Sequence, residues 1–247
     1  MIGTFPGPFP TPTTRRRRVG RGFASHPPIR MNTLLRLSLL LGIAALAACG
    51  PRPIIKCRES GEFNFRHQRY ELAADDFADI IERAPGDANA QARYGQCMLE
   101  LGDLNSARRS LEVASAALPN DEEVTFALAD CYFKQGDQTR LYQLLRERAE
   151  ATGSTEIWVR MSDYALRFND MDMANTAALA AIEVDNGRSA VPYYQSALVH
   201  ERLDQTGEAL RRLRQAYGIN PDDTRVRTKL VELGEVPGPT LALPPGK

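Results

Sequence analysis

Histidine and tryptophan are scarce in this chain: three His and one Trp in 247 residues. His26, His67 and His200 lie far apart, with no cysteine or carboxylate at ligand spacing, which argues against a metal site. The four cysteines, at 49, 57, 97 and 131, contain no close pair. A Gly-rich phosphate loop, a nucleophile elbow and a His-Glu zinc motif are all missing. The expectation is therefore a protein that is not an enzyme, with no catalytic residue, metal, cofactor or small-molecule substrate. Long apolar runs are missing too. The most apolar stretch, Leu37 to Ala48, has twelve residues, whereas a membrane-spanning helix needs about 20. Residues 1–48 hold no acid and no lysine but seven arginines, which leaves 24 basic against 31 acidic residues in the remainder. That acidic remainder repels phosphate backbones, so nucleic acid is not an expected partner. With 43% apolar residues the chain still has enough to bury a core.

What is present begins with a basic stretch, Met31 to Arg36, then the apolar run, then the small pair Ala47-Ala48. This is the pattern of an export signal over residues 31–48. Leu46-Ala47-Ala48-Cys49 resembles the bacterial lipobox, in which the Cys thiol is diacylated, the peptide is cut before it and the new amino terminus is acylated. The resemblance implies that Cys49 is lipidated and becomes the first residue of a lipoprotein. Each buried methylene contributes about 0.8 kcal/mol, so one chain holds reversibly and several hold stably. Gly50 stands where an Asp would signal retention in the inner membrane, so the family's sorting rules point to the outer membrane, at its periplasmic face. Residues 1–30, rich in Pro, Gly and Arg, fit no packed element and read as a disordered or mis-annotated extension, with Met31 as the start. Arg15 to Arg18 are too far upstream of the apolar run for a twin-arginine signal. The competing reading is a buried helix of a cytosolic repeat protein that happens to contain a cysteine.

Behind a short tether, residues 49–56, the chain repeats itself. Pro85 and Pro119 are 34 positions apart, and between them stand Tyr94-Gly95, Gly102-Asp103, Ala107, Leu111 and Ala114. This resembles the tetratricopeptide repeat, a 34-residue helical hairpin. Five units start near Ile54, Ala88, Glu122, Thr155 and Ala190. Their eighth positions are Gly61, Gly95, Ala129, Ser162 and Ala197, and their twentieth Ala73, Ala107, Leu141, Ala174 and Ala209, small where two helices must approach except at Leu141. The resemblance implies an all-α, right-handed superhelical solenoid of about five hairpins. Val226, Leu230 and Leu233 lie on one face of residues 222–234, an expected capping helix that closes the domain at 57–234. The tail, 235–247, has four prolines and no period and is expected to be disordered, with Leu241 to Leu243 as a short docking motif in the alternative. Leu141, together with Gly153 in place of the loop proline, marks unit three as the looser hairpin and a candidate bend. Cys97 and Cys131 read as buried free thiols, and Cys57 as a further core position.

In this family the first helices line a concave face. Carried over by position, the resemblance implies a groove of Arg58, Glu62, Phe65 and Arg66; Gln96, Leu99 and Glu100; Phe126, Asp130, Phe133 and Lys134; Val159, Asp163, Leu166 and Arg167; Tyr194, Leu198, Glu201 and Arg202. Apolar anchors between charges suit a protein partner bound as an extended peptide or an amphipathic helix. Glu62 with Arg66, Asp130 with Lys134 and Asp163 with Arg167 are acid-first pairs four apart, expected to pair within their own helices. The leading reading is a lipid-anchored periplasmic scaffold mediating protein–protein interaction in envelope assembly, of the pilus or secretion type. The alternatives are an adaptor that recruits cell-wall enzymes and a non-catalytic subunit of an enzyme complex.

Overall fold

The computed structural model describes residues 52–246. The extension, the signal at 31–48, Cys49 and Lys247 lie outside them. Every regular element among the described residues is an α-helix, none long and apolar enough to cross a membrane. The helices are α1 (Ile54–Arg66), α2 (Tyr70–Arg83), α3 (Ala88–Leu101), α4 (Leu104–Ala117), α5 (Glu122–Gln135), α6 (Gln138–Thr152), α7 (Thr155–Arg167), α8 (Met171–Asp185), α9 (Val191–Arg202), α10 (Thr206–Ile219) and α11 (Thr224–Glu232). Paired in order, the first ten make five hairpins, and α11 packs behind the last through buried Val226 and Leu230. The first helices of the units begin at or next to the expected starts. Because α1 opens at Ile54, directly after Pro53, the tether ends at 53 and not at 56.

Local chemistry sets these boundaries. Asp87, Asp103, Asp121, Asp137, Asp170 and Asp223 each accept a backbone N–H in the first turn of the helix that follows, and Ser154 does so for α7. Gly102, Gly136 and Gly153 stop α3, α5 and α6 in the left-handed region, where a side chain is strained. Gly153 is thus a defined cap.

The small positions meet as the spacing requires. Ser162 is fully buried, its hydroxyl donating to the Ala174 carbonyl at 2.9 Å and accepting from Gln195 Nε2 at 3.2 Å. Leu141 is fully buried beside Leu145, in one apolar cluster that runs from Leu99 to Ala181. Unit three therefore takes up its large residue within a continuous core, yet α5 and α6 touch one another least among the five hairpins, in keeping with the looser hairpin expected there. Cys57, Cys97 and Cys131 are buried free thiols. Burial pushes the Cys97 thiol up to about 12 and the Cys131 thiol to about 11; Cys57 is raised as well, by burial and by its hydrogen bond to Asp79.

The expectation of a disordered tail is corrected. Residues 241–246 lie against α10: the Leu243 N–H donates to the Arg214 carbonyl at 3.0 Å, Arg214 Nε donates to the Leu241 carbonyl at 2.8 Å, and Leu241 is buried. Prolines deny this segment a helical period, yet its extended carbonyls satisfy side-chain donors on α10.

The caps make the fold acid-sensitive. Asp103 is held below the usual carboxylate range by Ser106, and Asp223 by Arg225. For Asp87 burial works against ionisation, but the Ala90 N–H and Arg58 outweigh it. Groups depressed in the folded state stabilise above the unfolded pKa of about 3.9 and lose that contribution as pH falls through their lower folded values. The melting temperature is expected to be flat from pH 7 to 5 and to drop below about pH 4; a level profile down to pH 2 would show the caps contribute nothing.

Candidate functional site

The first helices stand side by side, and their exposed residues enclose two connected hollows. One, of about 300 Å³, is lined by Arg58 and Glu62 on α1, Arg93 and Gln96 on α3, and Asp121, Glu123 and Val124 around the start of α5. The second, about 310 Å³, is lined by Phe65, Tyr70, Gln96, Leu99, Glu100, Glu123, Phe126, Asp130 and Arg160. Gln96 and Glu123 border both, so the two form one trough. Arg160 carries it on to a third hollow of about 420 Å³ with Val159, Asp185 and Val191.

Arg93 organises the first hollow. Its Nε donates to Glu62 at 3.1 Å, and its Nη1 to Glu123 at 2.6 Å and to Gln96 at 2.9 Å. Gln96 Nε2 also donates to Glu123, at 3.0 Å. Burial alone would raise the Glu123 pKa, but these donors from Gln96 and Arg93 bring it below the ordinary value. Arg58 pairs with Asp87, the cap of α3.

A second pattern runs along the array. The Arg93 guanidinium lies 5.0 Å from the Phe65 ring centroid, Arg160 lies 4.7 Å from Phe126, and Arg167 lies 3.9 Å from Phe133. Arg225, on the capping helix, lies 5.3 Å from Tyr194. In the first three the ring lies on the first helix of one unit and the cation on the first helix of the next; in the fourth the cation comes from the capping helix that follows the last unit. A cation over a ring contributes about 0.5–1 kcal/mol at exposed sites. A guanidinium stacked in this way keeps its in-plane N–H groups available to a carboxylate or carbonyl. Arg160 and Arg167 are about half exposed, each with a carboxylate of its own helix only at 3.9 Å, Glu156 and Asp163.

The structure redistributes several expected residues. Asp163 and Arg167 pair within their helix as expected. Glu62 instead takes Arg93, while Arg66 is exposed and donates to the Glu62 backbone carbonyl. Asp130 accepts from the Tyr164 hydroxyl at 2.5 Å, and Lys134 caps α3 by donating to the Leu99 carbonyl at 3.3 Å. Each of these partners lies about one repeat away in sequence, where helix packing brings it closer than the residue four along. Leu99 is buried but contributes to the floor of the second hollow, while Leu166 is buried and Leu198 packs against the core, so these last two support the face from beneath. Glu201 is drawn to Lys229 of the capping helix at 2.8 Å, and Arg202 is exposed. Arg93, Glu123 and Arg160 were missed. The signal for two of them was an arginine recurring at the sixth position of units two and four. Among the described residues no group of three or more His, Cys, Asp or Glu side chains is placed to hold a metal ion.

Residues 65–125 match the family model described as tetratricopeptide repeat. Among solved structures, PilW, described as a widely conserved type IV pilus biogenesis factor, is 13% identical with a TM-score of 0.58, over 80% of this chain and 91% of its own. MamA is 14% identical with a TM-score of 0.55, over 75% of this chain and 98% of its own. YrrB, described as a TPR protein with an unusual peptide-binding site, is 18% identical with a TM-score of 0.50, over 68% of this chain and 87% of its own. These likenesses establish the fold. No curated protein sequence matches the chain significantly.

Proposed function

This chain is a tetratricopeptide repeat protein, and we propose that it is a lipid-anchored scaffold of the bacterial envelope, holding a partner polypeptide in the trough along its first helices during assembly of a pilus or secretion apparatus. Proteins of this repeat class generally serve protein–protein interaction and are not catalytic. The observation that carries the reading is the series of rings, each covered by an arginine from the following unit or, for Tyr194, from the capping helix. Apolar side chains of a bound peptide or helix rest beside Phe126 and Phe133, while its carbonyls or carboxylates meet the open edges of Arg160 and Arg167. The peptide site described for YrrB and the pilus role described for PilW are consistent in kind with this reading.

The anchor is the lipobox at Cys49. Since α1 starts five residues later, an extended tether reaches at most about 18 Å, at 3.3–3.6 Å per residue. The array then works next to the lipid, at the periplasmic face of the outer membrane.

Crosslinked pulldown from membranes tests both parts. Arg160→Glu with Arg167→Glu is expected to lower melting by only a few degrees, about 1–2 kcal/mol for two cation–ring contacts, to leave membrane fractionation intact and to cut recovery of the partner at least tenfold, which corresponds to about 1.4 kcal/mol. Cys49→Ser is expected to release the protein from the membrane fraction. Unchanged recovery with the double reversal removes the trough from the proposal; an unacylated wild-type amino-terminal peptide in mass spectrometry removes the anchor.

A further inference from the structure

The tail contact has the construction of a ligand site. Arg212 and Gln215 on α10 are each only 4% exposed. Their donors reach tail backbone: Arg212 Nη1 to the Gly246 carbonyl at 3.2 Å, and Gln215 Nε2 to the carbonyls of Pro244 at 3.4 Å and Gly246 at 3.2 Å. With the Arg214 and Leu243 exchange, the contact reads backbone, as sites for extended peptides do. Specificity comes from Leu241, which enters the apolar cluster of Ile182, Tyr193, Leu213, Ala216 and Tyr217.

Two glycines clear the path. A Cβ on Gly218 would lie 2.2 Å from the Leu243 carbonyl oxygen, and a Cβ on Gly187 would lie 2.9 Å from the Pro245 ring. Neither contact involves the trough. The chain leading to the site is lightly held: Gly234, Pro237, Gly238 and Pro239 interrupt it, and Val236 is 85% exposed. Such a hinge lets a segment leave and return without disturbing the helices, which is the condition for exchange between copies.

We propose that the channel between α10 and the end of α8 is an exchangeable peptide site for an extended Leu-x-Leu-Pro-Pro-Gly segment. It holds residues 241–246 of its own chain in cis and takes the same segment from a second copy when its own is displaced. Tethering gives the cis segment an effective concentration in the millimolar range, so exchange needs copies crowded together, as they are on a membrane. Removing the occupant uncovers the apolar pocket that Leu241 fills, which favours refilling over an open channel.

The test uses the chain ending at Pro239 and a synthetic peptide of residues 240–247. The truncated chain is expected to bind the peptide saturably, the full chain at least tenfold more weakly because its own segment competes, and the truncated chain carrying Gly218→Val not at all. Should truncation prevent folding, the full chain with Leu241→Asp, whose segment is expelled, replaces it as acceptor. In sedimentation, the acceptor mixed with full chain is expected to form a one-to-one complex. Absence of saturable binding, or binding unaffected by Gly218→Val, overturns the site; peptide binding without any complex at 100 µM of each chain, a concentration of order a tenth of the millimolar cis value, overturns exchange between copies.

Discussion

Gly95→Leu is expected to lower the melting temperature by roughly 6–12 °C. A Cβ at this position would stand 2.6 Å from Leu111 Cγ and 3.2 Å from the Ala107 carbonyl oxygen, so even the first added carbon has no room. Leu111 and Ala107 are fully buried and cannot swing away. The backbones of α3 and α4 must separate, and overpacking of that kind costs about 1–3 kcal/mol, occasionally more. In a chain of this size each kcal/mol shifts melting by about 2–4 °C, and the upper end applies because carbonyl backbone is part of the clash. Units couple to their neighbours, so the strain also reaches the α3 packing against α2 and α5. Gly207→Ala is the control. It sits in α10 with nothing within 4 Å of a new Cβ, and helix propensity favours Ala by roughly 0.5–1 kcal/mol. Calorimetry that finds the two variants alike would disprove the register of the repeats.

Tyr164→Ala has the other large effect, about 3–5 kcal/mol, the usual cost of emptying a fully buried aromatic site. Tyr164 is fully buried and, with Tyr193, is one of the two largest such side chains among the described residues. Its hydroxyl holds Asp130 one unit away, and its ring packs 5.4 Å from that of Phe133. Burial and the Asp130 carboxylate push its ionisation far above the tyrosine range, which keeps the hydroxyl a donor to Asp130. The loss is expected to reach the trough as well, because Phe133 and the Arg167 above it rest on this ring. Tyr164→Phe keeps the ring and should melt within about 1–2 kcal/mol of wild type, a single hydrogen bond's worth. Denaturant unfolding gives the comparison. If the Ala and Phe variants prove equally stable, the ring does not join units three and four.

How far the sequence reached differs from feature to feature. Gly61, Gly95, Ala129, Ser162 and Ala197 could be placed because helix approach demands small residues at fixed spacing, and spacing is written in the chain. Spacing pairs Glu62, Asp130 and Lys134 with residues four away in their own helices, and the structure gives each a different partner about a repeat away, a neighbour that spacing within one helix does not reveal. The tail misled for a related reason. Proline and a missing period exclude a helix, but they say nothing about whether an extended strand has somewhere to lie.

Alone, the sequence determined the all-helical repeat, its register, the approximate start of each unit and the burial of Cys57, Cys97 and Cys131. All of these depend on periods and contacts within a few tens of residues of one chain direction. Only the tertiary structure decided which charges meet, that Arg93 and Arg160 border the trough while Leu166 lies beneath it, and that residues 241–246 bind α10. Those outcomes depend on distances between helices, which stacking sets to within an ångström and which no spacing along the chain specifies.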